Sequence, residues 1–346
     1  MEDFNEILTK NPVVIDNGSG EIKAGFGGEE QPKAIFSSYI GRPKYKKVIP
    51  TTSDAELYIG DDTEKFKGLL KLKYPMSHGV VENWADMETI WKSVFTRLKT
   101  TPKEHPVLLT EAPINPQSHR LQMAKIFFES MNTPALFIAV QAVLSLYASG
   151  RFTGVVLDSG DGVTHVVPMV EGYSIKQGAN RIDLGGRDVT EHLQLLLRKS
   201  GYNLHTSAEM EVVKKIKEKF CSLSEFSLDE KTYEDRKKNK TPYLLPDGTV
   251  IDLSYEKTLA PEILFSPDKI GLEYPGVHEL LASTIKKCDL DLRRTLYSEI
   301  VLAGGNTLLT NFPDRLLNET RKIAPKDVRL KIYAPLERKL SCWVGG

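Results

Sequence analysis

The chain has 346 residues, 46 basic and 46 acidic side chains and hence no formal net charge, and a hydrophobic fraction of 40%. That length is enough for two or more domains with sizeable cores, and the composition is ordinary for a folded globular chain. The charge balance argues against broad attraction to nucleic acid or to acidic membranes. The three cysteines, Cys221, Cys288 and Cys342, have neither metal-site nor disulfide-framework spacing, which predicts a reducing compartment. The acidic start, Met1-Glu2-Asp3-Phe4, lacks the basic-then-apolar order of a signal peptide. The longest apolar stretch, Pro134 to Ala148, is interrupted by Gln141 and is short for a bilayer span.

In chain order, residues 1–11 read as a polar arm. Val13-Val14-Ile15-Asp16-Asn17-Gly18-Ser19-Gly20-Glu21-Ile22-Lys23-Ala24-Gly25-Phe26 then reads as a hairpin. An apolar strand ends at a carboxylate, and the backbone turns through glycines. Glycine adopts conformations that other residues resist, so the amides of such a turn can converge on an anion. Lys23 could meet a phosphate oxygen as a point charge; a solvated strand lysine is the bland alternative. Gly41-Arg42-Pro43-Lys44-Tyr45-Lys46-Lys47 opens a polar stretch to about Asp62, expected as one exposed, mobile loop. His78 reads equally as a structural histidine or a neighbour of phosphate chemistry.

Trp84 to Leu98 has helical spacing, with apolar residues at Met87, Ile90-Trp91, Val94-Phe95 and Leu98. Pro106 to Glu111 predicts a buried strand, Arg120 to Ser130 a helix, and Ala135 to Val140 another strand. An apolar helix from Gln141 to Ser149, stopped by Gly150, connects this half to the next and is a natural hinge. Gln141 in such company needs a partner, as a cap or through a water in a cleft.

Val155-Val156-Leu157-Asp158-Ser159-Gly160-Asp161-Gly162-Val163-Thr164-His165 repeats the first hairpin: the order Asp-x-Gly-[Ser/Asp]-Gly matches residue for residue. Facing each other across a cleft, the two turns could grip one polyphosphate from both sides. Asp16 and Asp158 would then hold its divalent cation; magnesium suits this because it keeps most of its waters. Two unrelated surface hairpins are the competing reading. Further on, Gly185-Gly186-Arg187-Asp188 opens a helix towards Arg198, a candidate anion site at a helix start. A helix from Ala208 to Phe220 carries Lys214, Lys217 and Glu218, with solvation as their default fate. Ser224 to Thr241 is a polar insertion, and Leu244 to Ile251 a hairpin. His278 to Cys288 and Pro313 to Ile323 read as helices, and Arg329 to Tyr333 as a strand. Glu299 to Thr307 is a third strand running into glycines, able to receive a base or a ribose edge. The chain ends at Gly345-Gly346 with no closing helix expected.

Asp16-Asn17-Gly18-Ser19-Gly20, Lys71-Leu72-Lys73-Tyr74-Pro75, His105 to Pro113, Gln141 to Gly150 and Asp158 to His165 together resemble the actin family over essentially the whole chain. Asp289 to Leu296, Ala260 to Phe265, Gly271 to His278 and Ala324 to Val328 look most like its centractin branch, in fungi, whose members form the short dynactin filament. The resemblance implies an α/β fold of the duplicated actin, Hsp70 and sugar-kinase type, two lobes and four subdomains around a nucleotide cleft. Residues 1–37, 75–148 and 341–346 would form subdomain 1, residues 38–74 subdomain 2, residues 149–184 and 273–340 subdomain 3, and residues 185–272 subdomain 4.

The resemblance also implies ATP or ADP as ligand, with Mg²⁺, or Ca²⁺ in its place. Ser19, Gly20 and Lys23 would meet the β and γ phosphates from one side, and Gly160, Asp161, Gly162 and Val163 from the other. Asp16 and Asp158 would hold the metal through water. Gln141 and His165, with Asp161, would serve slow hydrolysis by orienting water and relaying its proton. Gly186, Lys217, Glu218, Gly304, Gly305, Asn306 and Lys339 would surround ribose and adenine. Implied partners are further copies in a filament, dynactin subunits and capping proteins, and dynein indirectly, in the cytoplasm and cytoskeleton, with neither nucleic acid nor direct membrane insertion. Residues 41–62 and the loop Phe265 to Gly276 would make subunit contacts. Three departures stand out. Glu21 places a negative charge beside the phosphate turn, and Leu309 replaces an aromatic near the adenine. Family members also continue beyond the position of Gly346, so a truncated first subdomain is expected. Conventional actin, a non-polymerising actin-related subunit, and a sugar kinase or chaperone-type ATPase are the alternatives.

Overall fold

The computed structural model describes residues 10–44, 57–227, 240–245 and 248–346. The N-terminal arm, the middle of the expected 41–62 loop, most of the polar insertion and the turn of the Leu244 hairpin therefore lie outside the described residues.

Two mixed sheets are built by the same rule. In the first, Val13–Asn17 pairs antiparallel with Glu21–Phe26, with Asp16 opposite Lys23, and parallel with Val107–Glu111. Leu136–Val140 and Ala34–Ser37 complete the two edges. In the second, Gly154–Ser159 pairs antiparallel with Thr164–Val170, with Asp158 opposite His165, and parallel with Ile300–Ala303. Ile332–Tyr333, Tyr173–Ser174 and Asn180–Ile182 extend that sheet. Val13, Val14 and Ile15 in one hairpin and Val155, Val156 and Leu157 in the other are fully buried or nearly so. Such continuous apolar runs are what a central strand with a parallel neighbour requires, because helices cover both its faces.

Each sheet carries its own core. Trp84–Leu98 lays Met87, Ile90, Trp91, Val94 and Phe95 on the first sheet, starting at an Asn83 cap that accepts from Asp86 N–H at 3.1 Å. Trp91 is fully buried, and truncation to alanine would cost about 3–5 kcal/mol. The second core joins Gly186–Lys199, Val277–Lys287 and Phe312–Ile323 to the second sheet. Gln141–Ala148 connects the two: Ala142 and Leu146 pack on Val156, Val167 and Val301 of the second sheet, while Leu144 packs with Ala139 of the first.

Several expectations shift. The stretch 41–62 is structured at both described ends: Ile40–Pro43 pairs with Tyr58–Ile59 and with Leu70–Lys73 around Tyr39, Tyr58, Leu70 and Leu72. The helix expected from Arg120 starts earlier, at Gln117, and widens into a π-turn over Ile126–Ser130. The strand read from Arg329 shrinks to Ile332–Tyr333. Residues Ser341–Gly345, read as glycine-ended and non-helical, form a short helix whose Trp343 is buried and donates to Val14 O at 3.1 Å. Phe265 and Pro267 are buried, and Ile270 and Leu272 pack against the second core, so these apolar side chains of the 265–276 loop face inward.

Candidate functional site

The two glycine turns interlock. A Cβ on Gly20 would lie 2.7 Å from Asp161 Cβ, and one on Gly162 would lie 2.8 Å from Ser19 Oγ. Real side-chain carbons do not approach so closely, so only glycine allows this contact. Neighbouring elements lock it. Gly79 N–H donates to Ser19 Oγ at 3.0 Å, and His78 Nδ1 bonds Gly162 O at 2.7 Å. Arg187, in the first turn of Gly186–Lys199, donates to Ser19 O at 3.2 Å and to Asp161 Oδ2 at 3.0 Å. The same guanidinium sits over the Tyr74 ring, 4.0 Å from its centroid.

Beside the turns lies a cavity of about 310 Å³, within the usual size range of small-molecule sites. Every residue assigned to nucleotide, metal or hydrolysis from the resemblance lines it, whereas His78 does not. From the first hairpin come Asp16, Ser19, Gly20 and Lys23; from the second, Asp158, Gly160, Asp161, Gly162, Val163 and His165. Gln141 contributes from the connecting helix, Gly186, Lys217 and Glu218 from two helices of the second lobe, and Gly304, Gly305, Asn306 and Lys339 from the far side. Gly304 has φ of +85°, and a Cβ there would lie 2.4 Å from Asp158 Oδ1, so this third glycine turn presses onto the second carboxylate.

The twin carboxylates differ in their surroundings. Asp16 accepts from Lys23 Nζ at 2.8 Å, Thr110 Oγ1 at 3.0 Å and Gln141 Nε2 at 3.2 Å. Burial pushes its carboxyl up, but Lys23, with the Cys342 thiol and the Thr110 hydroxyl, outweighs burial and holds it below the ordinary range. Asp158 is pushed up to about 7 by burial and by the like charge of Asp16. His165 Nε2 stands 3.6 Å from Asp158 Oδ2. Burial, with Arg181 nearby, drives this histidine down to about 3, so it is neutral at physiological pH. Both its ring nitrogens are buried without a hydrogen-bond partner, as are Asn306 Oδ1 and Ser145 Oγ. Unsatisfied buried polar atoms are costly, and four on residues that line the cavity point to a polar occupant.

Four sequence readings are refined. Lys23 is no solvated lysine: it is buried and engaged by Asp16. Lys217 is likewise buried, its Nζ donating to Gly186 O at 2.6 Å. Glu21 does not stand unpaired beside the turn, because Lys339 meets it at 2.7 Å. Leu309 lines the cavity and is anchored in the second core.

Sequence reasoning missed Thr110, Ser145, Lys214, Arg338 and Cys342, all near or lining the cavity. It also missed Arg187 as the tie between turns. Thr110 was hidden in an apolar strand; a hydroxyl in an otherwise apolar run was the available signal. Cys342 carried none. Among the described residues, no group of three or more His, Cys, Asp or Glu side chains could hold a metal by itself, and no helix is long and apolar enough to cross a membrane.

The family model for actin matches residues 7–346. The chain is also 53% identical to an "Actin-like protein" of Neurospora crassa over 349 residues, covering 99% of this chain and 92% of that one. With a two-lobed α/β architecture and a match along nearly all its length, the chain belongs to the actin family.

Proposed function

We propose that this protein binds ATP with a divalent cation in the cavity between its lobes, hydrolyses it slowly, and assembles into a short filament of the centractin type. In that role it would serve the dynactin complex, with dynactin subunits and capping proteins as partners and dynein-driven transport as the outcome. The observation that carries the nucleotide reading is the interlocked pair of glycine turns with Asp16 and Asp158 at their bases. Glycine turns present amides to phosphate, and hard carboxylate oxygens suit Mg²⁺ or Ca²⁺ bound through water. The unpartnered polar atoms of His165, Asn306 and Ser145 fit a polar ligand. When bound, the cation would neutralise phosphate charge as the terminal phosphoryl group leaves.

The chain's own residues would divide the work. Ser19, Gly20 and Lys23 hold the phosphates from one lobe, and Gly160, Gly162 and Val163 from the other. Asp161, ion-paired with Arg187, fixes the second turn and does not act as a free base. Gln141 is already aligned by Asp16 and Thr110, and can hold a water with its remaining polar atom. Neutral His165 can accept a hydrogen bond from that water. Gly186, Lys217, Glu218, Gly304, Gly305, Asn306 and Lys339 form the ribose and base end. Subdomain 1 would comprise residues 1–37, 75–148 and 341–346, with subdomains 2, 3 and 4 as outlined from the resemblance.

Isothermal titration with Mg-ATP tests binding: saturable uptake of one nucleotide is expected, and none would overturn the reading. Sedimentation with Mg-ATP, followed by co-purification with dynactin components, tests assembly. One observation favours a second reading, a nucleotide-holding subunit that does not polymerise: Phe265, Ile270 and Leu272 of the 265–276 loop are packed into their own core, although Tyr274 stays exposed. Persistent monomers at high concentration would favour it.

A further inference from the structure

We infer that Glu21 is a positioning residue that holds Lys339 across the rim of the cavity and so slows release of a bound nucleotide. The inference rests on the nucleotide reading above. Glu21 opens the returning strand of the first hairpin, directly after Gly20. Lys339 comes from the opposite lobe. Its segment is fixed there by Gly304 N–H, which donates to Arg338 O at 3.2 Å, and by the Arg338 guanidinium, which donates to Thr307 Oγ1 and Thr307 O at 2.9 Å each. The Lys339 stem runs alongside Gly305, with Cγ 3.7 Å from the place a Gly305 Cβ would take.

The ammonium then bridges back to the first lobe, 2.7 Å from Glu21 Oε2 and 3.0 Å from Oε1. Both residues line the cavity, yet their side chains keep 24% and 41% of their exposure. They therefore sit at the rim, unlike Asp16 and Lys23 in the interior, at 3% and 10%. A carboxylate beside a phosphate turn would repel the ligand if it were free. Paired, it becomes a tie between the lobes, next to the opening a ligand must use. The second hairpin has Val163 at the matching place and can make no such tie. The tie is electrostatic and partly wet, so salt screens it.

The test is release of 1,N6-etheno-ATP, loaded with Mg²⁺ and chased with excess ATP, from the full chain and its variants. Glu21→Gln and Lys339→Met should each speed release about two- to fivefold, the size of effect known for partly exposed ion pairs. The double variant should be no faster than Lys339→Met alone, because Glu21 acts only through Lys339. Added salt should speed release from the unaltered protein more than from the double variant. The charge-reversed pair, Glu21→Lys with Lys339→Glu, should restore slow release, which separates a lost tie from a misfolded chain. Unchanged rates would overturn the inference. So would additive effects, which would mean that Glu21 acts on release independently of Lys339. If the unaltered protein takes up no nucleotide, the reading beneath the inference fails first.

Discussion

The two hairpins are near-copies in sequence, but their acids stand in different electrostatic surroundings. Asp16 and Asp158 end equivalent strands, each opposite the residue that returns from its turn. Opposite Asp16 stands Lys23, and opposite Asp158 stands His165. The first carboxylate collects a cation, a hydroxyl and an amide; the second meets a neutral imidazole at 3.6 Å and the like charge of its twin. One is held ionised, and the other is pushed up to about 7. A repeated motif thus supplies the same group twice, and the neighbours decide what each group is ready to do. The first is locked into the fold by three donors, while the second has no such set of donors.

This asymmetry can be broken by experiment. Asp16→Asn strands the buried Lys23 ammonium, and ligand-free stability should fall by about 3–5 kcal/mol in a denaturant titration. Asp158→Asn removes a carboxylate with no buried cationic partner, so ligand-free stability should move by about 1 kcal/mol or less, while divalent-cation binding is lost. Equal losses from the two variants would erase the contrast.

The turns should behave alike where the carboxylates do not. Gly20→Ala and Gly162→Ala each push a methyl into the facing turn, and each should cost about 1–3 kcal/mol and weaken nucleotide uptake. A tolerant position on either side would mean that the turns do not interlock in solution. Arg187→Met should cost somewhat less, about 1–2 kcal/mol, because it removes charge-assisted bonds from a guanidinium that is partly exposed.

The smallest effect sets Glu21 against Val163. Burial raises the Glu21 carboxyl, but Lys339, with help from Lys214 and Lys23, outweighs it and holds the folded value below the ordinary 4.5. A group depressed on folding contributes stability above its unfolded value and loses it as pH falls through the folded one. Acidification from neutral pH to below 4.5 should therefore cost the unaltered protein slightly more stability than it costs Glu21→Gln. Identical acid melts would mean that the pair contributes nothing.

Much of the fold was legible in the chain. The helix at Trp84–Leu98 was readable because its apolar spacing is local. Both hairpins were readable because a β-branched run into an Asp-Gly turn leaves few other conformations. The candidate site was legible to the extent that it was duplicated: a motif seen twice suggested a facing pair. Arg187 was invisible as a tie because its role depends on Ser19 O, 168 residues away. The short helix Ser341–Gly345 escaped because Gly345-Gly346 argues against helix, whereas packing of Trp343 beneath Val14 overrides that local preference.

By itself, the sequence determined the repeated strand-turn-strand units, the glycines at their bends, the helices between them and the acid at the end of each first strand. Those features follow from side-chain alternation and backbone freedom within a few residues. The tertiary structure alone decided that Thr110 reaches Asp16 from 94 residues away, that Lys339 meets Glu21 across 318, and that one twin acid is charged while the other hovers near neutrality. Charge and solvation depend on what stands nearby in space, and here those neighbours are brought in from distant parts of the chain.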